Sequence, residues 1–286
     1  MKNKENPNSL LKEKLLKKAA NGDPEAQYRL GEIYYNEQRY NIAIEWWNKS
    51  AEQGNVLAQY NLGVTYTNTL QDYSKAFHWF TKAAQQGLNK AQFCLGNMYR
   101  SGEGVALNYE MAIEWWTKAA LQGDDKSMYN LGLVYTNCEG VPQNIATAIK
   151  WYTKAAELGN EKAQFSLGLI YNIGEGVPQD NAKALEWYTK AADQGYAMAQ
   201  YNIGFMYMNG EGVPQDLAIS YGWFSISKTS GFAEANKCLE ELVKHMTPEQ
   251  LREGQNMAAE FLKINSTTKM MNGLVPQLEK QNPAYT

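Results

Sequence analysis

Apolar and small side chains recur along this chain at spacings of three and four, and glycine interrupts them at regular intervals. Ala163, Leu167, Gly168 and Tyr171 stand at i, i+4, i+5 and i+8, one stripe of a helix. Ala184, Trp187, Tyr188, Ala191 and Ala192 form a second stripe of the same kind. The glycine that ends the second segment recurs at Gly22, Gly54, Gly87, Gly123, Gly159, Gly195 and Gly231, at spacings of 32, 33, 36, 36, 36 and 36. The pattern predicts six units of two helices each, and no strand.

The punctuation agrees. Gly174 and Gly176, like Gly210 and Gly212, supply positive-φ positions that stop a first helix. Asp180 and Asp216 stand where a carboxylate would cap the second. Trp46, Trp79, Trp115, Trp151, Trp187 and Trp223 share one register position, followed by Trp47, Phe80, Trp116, Tyr152, Tyr188 and Phe224. Repetition in register assigns these aromatics to cohesion between units. Gly31, Gly63, Gly96, Gly132, Gly168 and Gly204 fall inside first helices, where glycine costs about 1 kcal/mol against alanine, so they mark close helix approach.

The motifs Ala199-Gln-Tyr-Asn-Ile-Gly-Phe-Met-Tyr207, Gly-Glu-Gly-Val-Pro-Gln-Asp and Ala-x-Glu-Trp-Tyr-x-Lys-Ala-Ala resemble those of the Sel-one-like repeat (SLR) family, relatives of tetratricopeptide arrays, over residues 21–262. The resemblance implies an all-α fold: a right-handed superhelical α-solenoid of about six helix-turn-helix repeats with helical caps. The first two units depart from it, lacking the Gly-Glu-Gly loop. In the sixth, Ser227-Lys-Thr-Ser replaces the usual ending, so fraying of that helix is expected. Residues 1–8 are expected to be disordered, 9–20 to form a cap helix, 21–231 the six repeats, 232–263 capping helices and 264–286 a loose tail. Phe232–His245 reads as a further first helix with Glu240 in the glycine position. Thr247, Pro248 and Gln250 carry the signature of a capping box.

With the repeat glycine facing inward, the opposite face of each first helix holds the positions six and three before it, and one, four and five after it. In related superhelices first helices line the concave surface, so the resemblance makes this face the groove. The position after the glycine reads Glu32, Val64, Asn97, Leu133, Leu169, Phe205, and the fourth after it Tyr35, Thr67, Arg100, Thr136, Asn172, Met208. The third before it is aromatic throughout and includes Tyr129, Phe165 and Tyr201, a recurrence that also suits packing on adjacent helices. The groove thus runs from polar to apolar. Asn97, Arg100, Tyr129, Leu133, Phe165, Leu169, Asn172, Tyr201, Phe205 and Met208 are the candidate contacts for a protein or peptide partner. The resemblance extends this to a bacterial regulator or a toxin-neutralising immunity protein.

Composition narrows the alternatives. Twenty-seven basic against 30 acidic residues leave −3, without the basic footprint nucleic-acid binding needs. Two histidines, His78 and His245, and three scattered cysteines give little material for a metal site; no metal, cofactor or catalytic residue is expected. The absence of a signal-peptide pattern suggests a cytoplasmic protein. Some SLR proteins with regular cysteine pairs are β-lactam-binding hydrolases, the competing reading, but no such pairs occur here. Ser9-Leu-Leu-Lys12 matches a Ser-x-x-Lys motif in letters only, since it opens the cap helix. The lysine-rich stretch Leu10–Ala20 could lie on anionic lipid; covering the first repeat is the better use of its apolar face.

Overall fold

The computed structural model describes the backbone of residues 7–281 and the side chains of residues 10–264. It is an all-α repeat fold, with fifteen helices and no strand among the described residues. The chain divides into two compact units. Met1–Gln143 holds α1 (Pro7–Ala20), α2 (Pro24–Asn36), α3 (Tyr40–Glu52), α4 (Val56–Asn68), α5 (Tyr73–Gln85), α6 (Asn89–Ser101), α7 (Tyr109–Ala120) and α8 (Asp125–Asn137). Asn144–Thr286 holds α9 (Ile145–Glu157), α10 (Glu161–Ile173), α11 (Asn181–Asp193), α12 (Ala197–Asn209), α13 (Leu217–Thr229), α14 (Ala235–Val243) and α15 (Pro248–Gln281). Helices α2 to α12 with even numbers open the repeats; α3 to α13 with odd numbers close them.

Local chemistry sets the helix ends. Asp180 and Asp216 accept the backbone N–H of Lys183 and Ile219, as the sequence predicts. The first two repeats lack the glycine loop and instead put Gln38 and Gln71 in the left-handed region. Gly104 shows why the longer loop needs glycine: φ is +72°, and a Cβ there would run into the carbonyl group of Tyr73 on the preceding repeat.

Between the helices of a repeat, an aromatic ring fills the space left by the mid-helix glycine. Trp116 lies where a Cβ on Gly96 would be; Trp47, Phe80 and Tyr188 do the same at Gly31, Gly63 and Gly168. Trp116, Tyr152, Tyr188 and Phe224 are fully buried. The preceding tryptophans are less uniformly enclosed: Trp79, Trp115 and Trp223 are buried, whereas Trp46, Trp151 and Trp187 are only half-buried. A lysine one turn on covers the ring in the first five repeats, Lys49, Lys82, Lys118, Lys154 and Lys190 standing 4.0–4.8 Å from the ring centroids.

A glutamine relay ties successive repeats. Gln27, Gln59, Gln92, Gln164 and Gln200 each donate Nε2 to the carbonyl of an alanine eight residues earlier, at 3.0–3.2 Å. Gln53, Gln86, Gln122 and Gln194 donate in turn to the Oε1 of the first four. In the sixth repeat that position is Ser230, too short to reach, and the buried Oε1 of Gln200 has no partner. Ser230→Gln should therefore raise unfolding stability by about 1 kcal/mol, read as a higher urea midpoint. An unchanged midpoint would show that Gln200 is satisfied some other way.

The ends differ from the repeats. Leu15 and Ala19 of α1 pack on Ala26 and Leu30 of α2, while Lys12 pairs with Glu37 at 2.7 Å and lies over Tyr34. The expectation for residues 1–8 lies almost entirely outside the described residues. The expected fraying of the sixth repeat does not occur: α13 is a full 13 residues, and Ser227 Oγ donates to the Ala197 carbonyl at 2.7 Å. α14 starts at Ala235 instead of Phe232, because residues 232–237 are joined by i→i−3 hydrogen bonds with no N-cap side chain. Glu240, in the glycine position, is exposed. α15 opens with the capping box, Thr247 N–H to Gln250 Oε1 at 2.9 Å and Gln250 N–H to Thr247 Oγ1 at 3.2 Å. Its backbone stays helical to Gln281, past the boundary drawn at 263. α15 docks along α13, with Gly222 against Met257 and Phe261 stacked edge-on to Trp223 at 5.2 Å. No described helix is long and apolar enough to cross a membrane.

Candidate functional site

Helix pairing through the glycines leaves the opposite face of each first helix open, and cavities form along it in both units. In the first unit one of about 160 Å³ lies between α2 and α4, lined by Glu32, Tyr35, Asn36, Trp47, Asn61, Val64 and Thr65. A second, of about 350 Å³, lies between α4 and α6 and includes Tyr60, Val64, Thr67, Cys94 and Asn97. In the second unit a cavity of about 470 Å³ is walled by Phe205, Met208, Leu217, Cys238 and Leu242, with Gln215, Lys237, Glu241 and His245 around it. The first-unit cavities carry walls of mixed polar and apolar side chains, whereas this one is largely apolar.

The sequence-predicted residues divide by role. Phe205 and Met208 line the apolar cavity. Leu169 is exposed on α10, beside the 62% exposed Ile173 of the same helix. Phe165 and Tyr201 are packing residues as well: Phe165 meets Tyr188 at 5.7 Å and Tyr201 meets Phe224 at 5.5 Å. Burial pushes the Tyr201 hydroxyl pKa up to about 12, and Cys238 Sγ lies 3.5 Å from its oxygen. Asn97 is already engaged, accepting from Trp116 Nε1 at 3.3 Å and Asn130 Nδ2 at 3.1 Å. Arg100 is exposed, its guanidinium 5.9 Å from the Trp116 ring. Asn172 donates to Asn181 at 3.2 Å and its carbonyl accepts from Gln179 at 2.8 Å, so it braces the interhelical loop. Tyr129 and Leu133 are half-buried on α8.

The sequence places α14 among the caps and does not show its share in the cavity. Its residues Lys237, Cys238, Leu242 and the adjoining His245 close the apolar cavity. A signal is present: counting the rows through Glu240 instead of a glycine places Lys237, Glu241 and His245 at the face positions. Lys12, the lysine of the Ser-x-x-Lys match, is committed to Glu37 and Tyr34.

A family model described as the Sel1 repeat matches six consecutive stretches, 24–55, 56–88, 89–124, 125–160, 161–196 and 197–232. Each begins at the first residue of α2, α4, α6, α8, α10 or α12. The chain belongs to the Sel1 repeat family. Among solved structures it is similar to the protective antigen c5321 of uropathogenic Escherichia coli, which displays an SLR fold, at 35% identity and a TM-score of 0.78. That match covers 87% of this chain and 56% of the antigen, so the chain spans little more than half of that relative's length. A Sel1 repeat protein from Oxalobacter formigenes is similar at 30% identity and a TM-score of 0.69, covering 84% of this chain and 99% of that one. No curated protein matches the sequence. The Sel1 repeats account for the helical hairpins and the glycine–aromatic seams.

Proposed function

We propose that this Sel1 repeat chain is a non-enzymatic scaffold that holds a protein or peptide partner against the open face of its first helices. The observation that carries this is the 470 Å³ apolar cavity of the second unit. It lies within the roughly 300–1,000 Å³ range of ligand pockets, and Phe205, Met208, Leu217 and Leu242 offer an apolar side chain of the partner a dry seat. Adaptable Met side chains and exposed Leu169 and Ile173 suit a polypeptide surface. A bacterial regulator and a toxin-neutralising immunity protein would both act in this way, by occupying a partner's surface without chemistry.

The test is the affinity of a partner purified with the intact chain for the double variant Leu169→Asp, Met208→Asp. Removing two apolar contacts of this kind should weaken binding by about 30-fold or more, with helicity retained. Unaltered affinity in a folded double variant would remove the second-unit face from the interface.

A further inference from the structure

The cavity between α2 and α4 has a chemistry of its own. At the position after the repeat glycine the other repeats carry Val64, Asn97, Leu133, Leu169 and Phe205; only the first carries a charge, Glu32. That carboxylate is half-buried and held in place. Tyr28 donates its hydroxyl to Glu32 Oε1 at 2.7 Å, and burial with this hydrogen bond pushes the phenol up to about 12. Arg29 approaches Glu32 Oε2 at 3.5 Å, but its Nε is bound to Glu25 at 2.8 Å. Two carboxylates thus share one guanidinium, leaving a net negative charge at the mouth of the cavity.

The rest of the lining points the same way. The Trp47 indole N–H is spent on the Tyr28 carbonyl at 3.2 Å, and the Tyr28 hydroxyl on Glu32, so neither donor is left for an anion. What remains is a fixed carboxylate, the side-chain amide of Asn36, and the rings of Tyr35 and Trp47, 5.4 Å apart; the Asn61 side chain also lines the cavity and hydrogen-bonds the Tyr28 hydroxyl. A carboxylate beside aromatic faces attracts a cation. A volume of about 160 Å³ admits one side chain and excludes a drug-sized ligand.

We propose that the α2–α4 cavity is a subsite for one lysine or arginine side chain of the polypeptide partner, with Glu32 as its counter-ion. This rests on the partner-binding reading above and adds the chemistry of one position in the partner. Binding of an uncharged isostere there would be weak, because the fixed carboxylate would lose its water and gain no charge.

The experiment is a titration of the full chain with the peptide acetyl-Gly-Gly-Arg-Gly-Gly-amide, followed by the Trp47 indole N–H resonance. The same peptides with lysine and with citrulline, the neutral isostere of arginine, are titrated alongside. The arginine and lysine peptides should give saturable shifts at millimolar concentration, with citrulline weaker by about tenfold or more. Glu32→Gln should weaken the arginine peptide by a similar factor and leave the citrulline peptide unchanged. Tyr28→Phe, which frees the carboxylate without removing it, should give a smaller loss. Equal binding of arginine and citrulline, indifference to Glu32→Gln in a folded variant, or no response to the arginine peptide would overturn the proposal. Failure of the broader reading shows elsewhere, at Leu169 and Met208 with the purified partner.

Discussion

Replacing Trp116 by alanine should lower stability by about 3–5 kcal/mol, whereas the same change at Trp187 should cost about 1–2 kcal/mol. The two residues occupy adjacent rows of equivalent helices, so sequence alone gives them similar weight. Trp116 is fully buried in the hollow over Gly96, with its Nε1 donating to Asn97. Its loss would open a cavity that the rigid helix pair cannot close, and would strand part of the Asn97 hydrogen bonding. Trp187 is half-buried, and Lys190 covers its ring at 4.0 Å. Its removal forfeits a partial burial and an exposed cation–π contact worth about 0.5–1 kcal/mol. Urea unfolding of both variants decides the matter, and a larger loss at Trp187 would reverse the assignment of the core row.

The second large effect is expected at Gly222. In the other repeats the residue before the tryptophan is Glu45, His78, Glu114, Lys150 or Glu186. Gly222 breaks that row where α15 crosses α13. A Cβ there would overlap Met257 Sδ and stand 3.3 Å from the Gly254 carbonyl. Gly254 is equally confined, since a Cβ on it would stand 2.6 Å from the Ala218 carbonyl oxygen. Gly222→Glu restores the charge of the row and would place an unpaired carboxylate in a buried contact, at a cost of several kcal/mol. α15 should leave α13 while the six repeats stay folded. Hydrogen exchange should show amides of residues 250–262 losing protection by about a hundredfold or more, equivalent to roughly 2.7 kcal/mol. Unchanged protection there would mean that α15 docks through other contacts.

These two variants also mark the boundary of what the sequence discloses. Helix number, repeat length, the Asp180 and Asp216 caps and the Thr247–Gln250 capping box are legible, because each depends on local spacing. The choice between Trp115 and Trp116 is not. Consecutive residues both lie near the same helical face, and only the position of the neighbouring helix decides which ring meets Gly96. The docking of α15 is hidden for a similar reason, although Gly222, alone in a charged row, is its trace. On the open face, register alone finds Phe205 and Met208. It does not find Lys237 and Leu242, since α14 lacks the repeat glycine from which the rows are counted. Phe165 and Tyr201 read as contacts because aromaticity serves packing and binding equally well; their rings meet Tyr188 and Phe224.

The same logic sorts function. Side chains repeated at one register hold the hairpins together: the buried rings, the mid-helix glycines, the glutamine relay. Side chains that change from repeat to repeat, Glu32, Leu169 and Met208 among them, line the cavities or stand exposed on the first helices. Recognition built this way needs no catalytic group, only complementary shape and charge.

The most direct measurement places a photo-activated benzoyl-phenylalanine at Met208 on the open face and, in a separate chain, at Glu186 on the exposed side of α11, then irradiates each with the purified partner. The account predicts a covalent adduct from position 208 and none from 186. An adduct from 186 alone would put the partner on the second helices and contradict it.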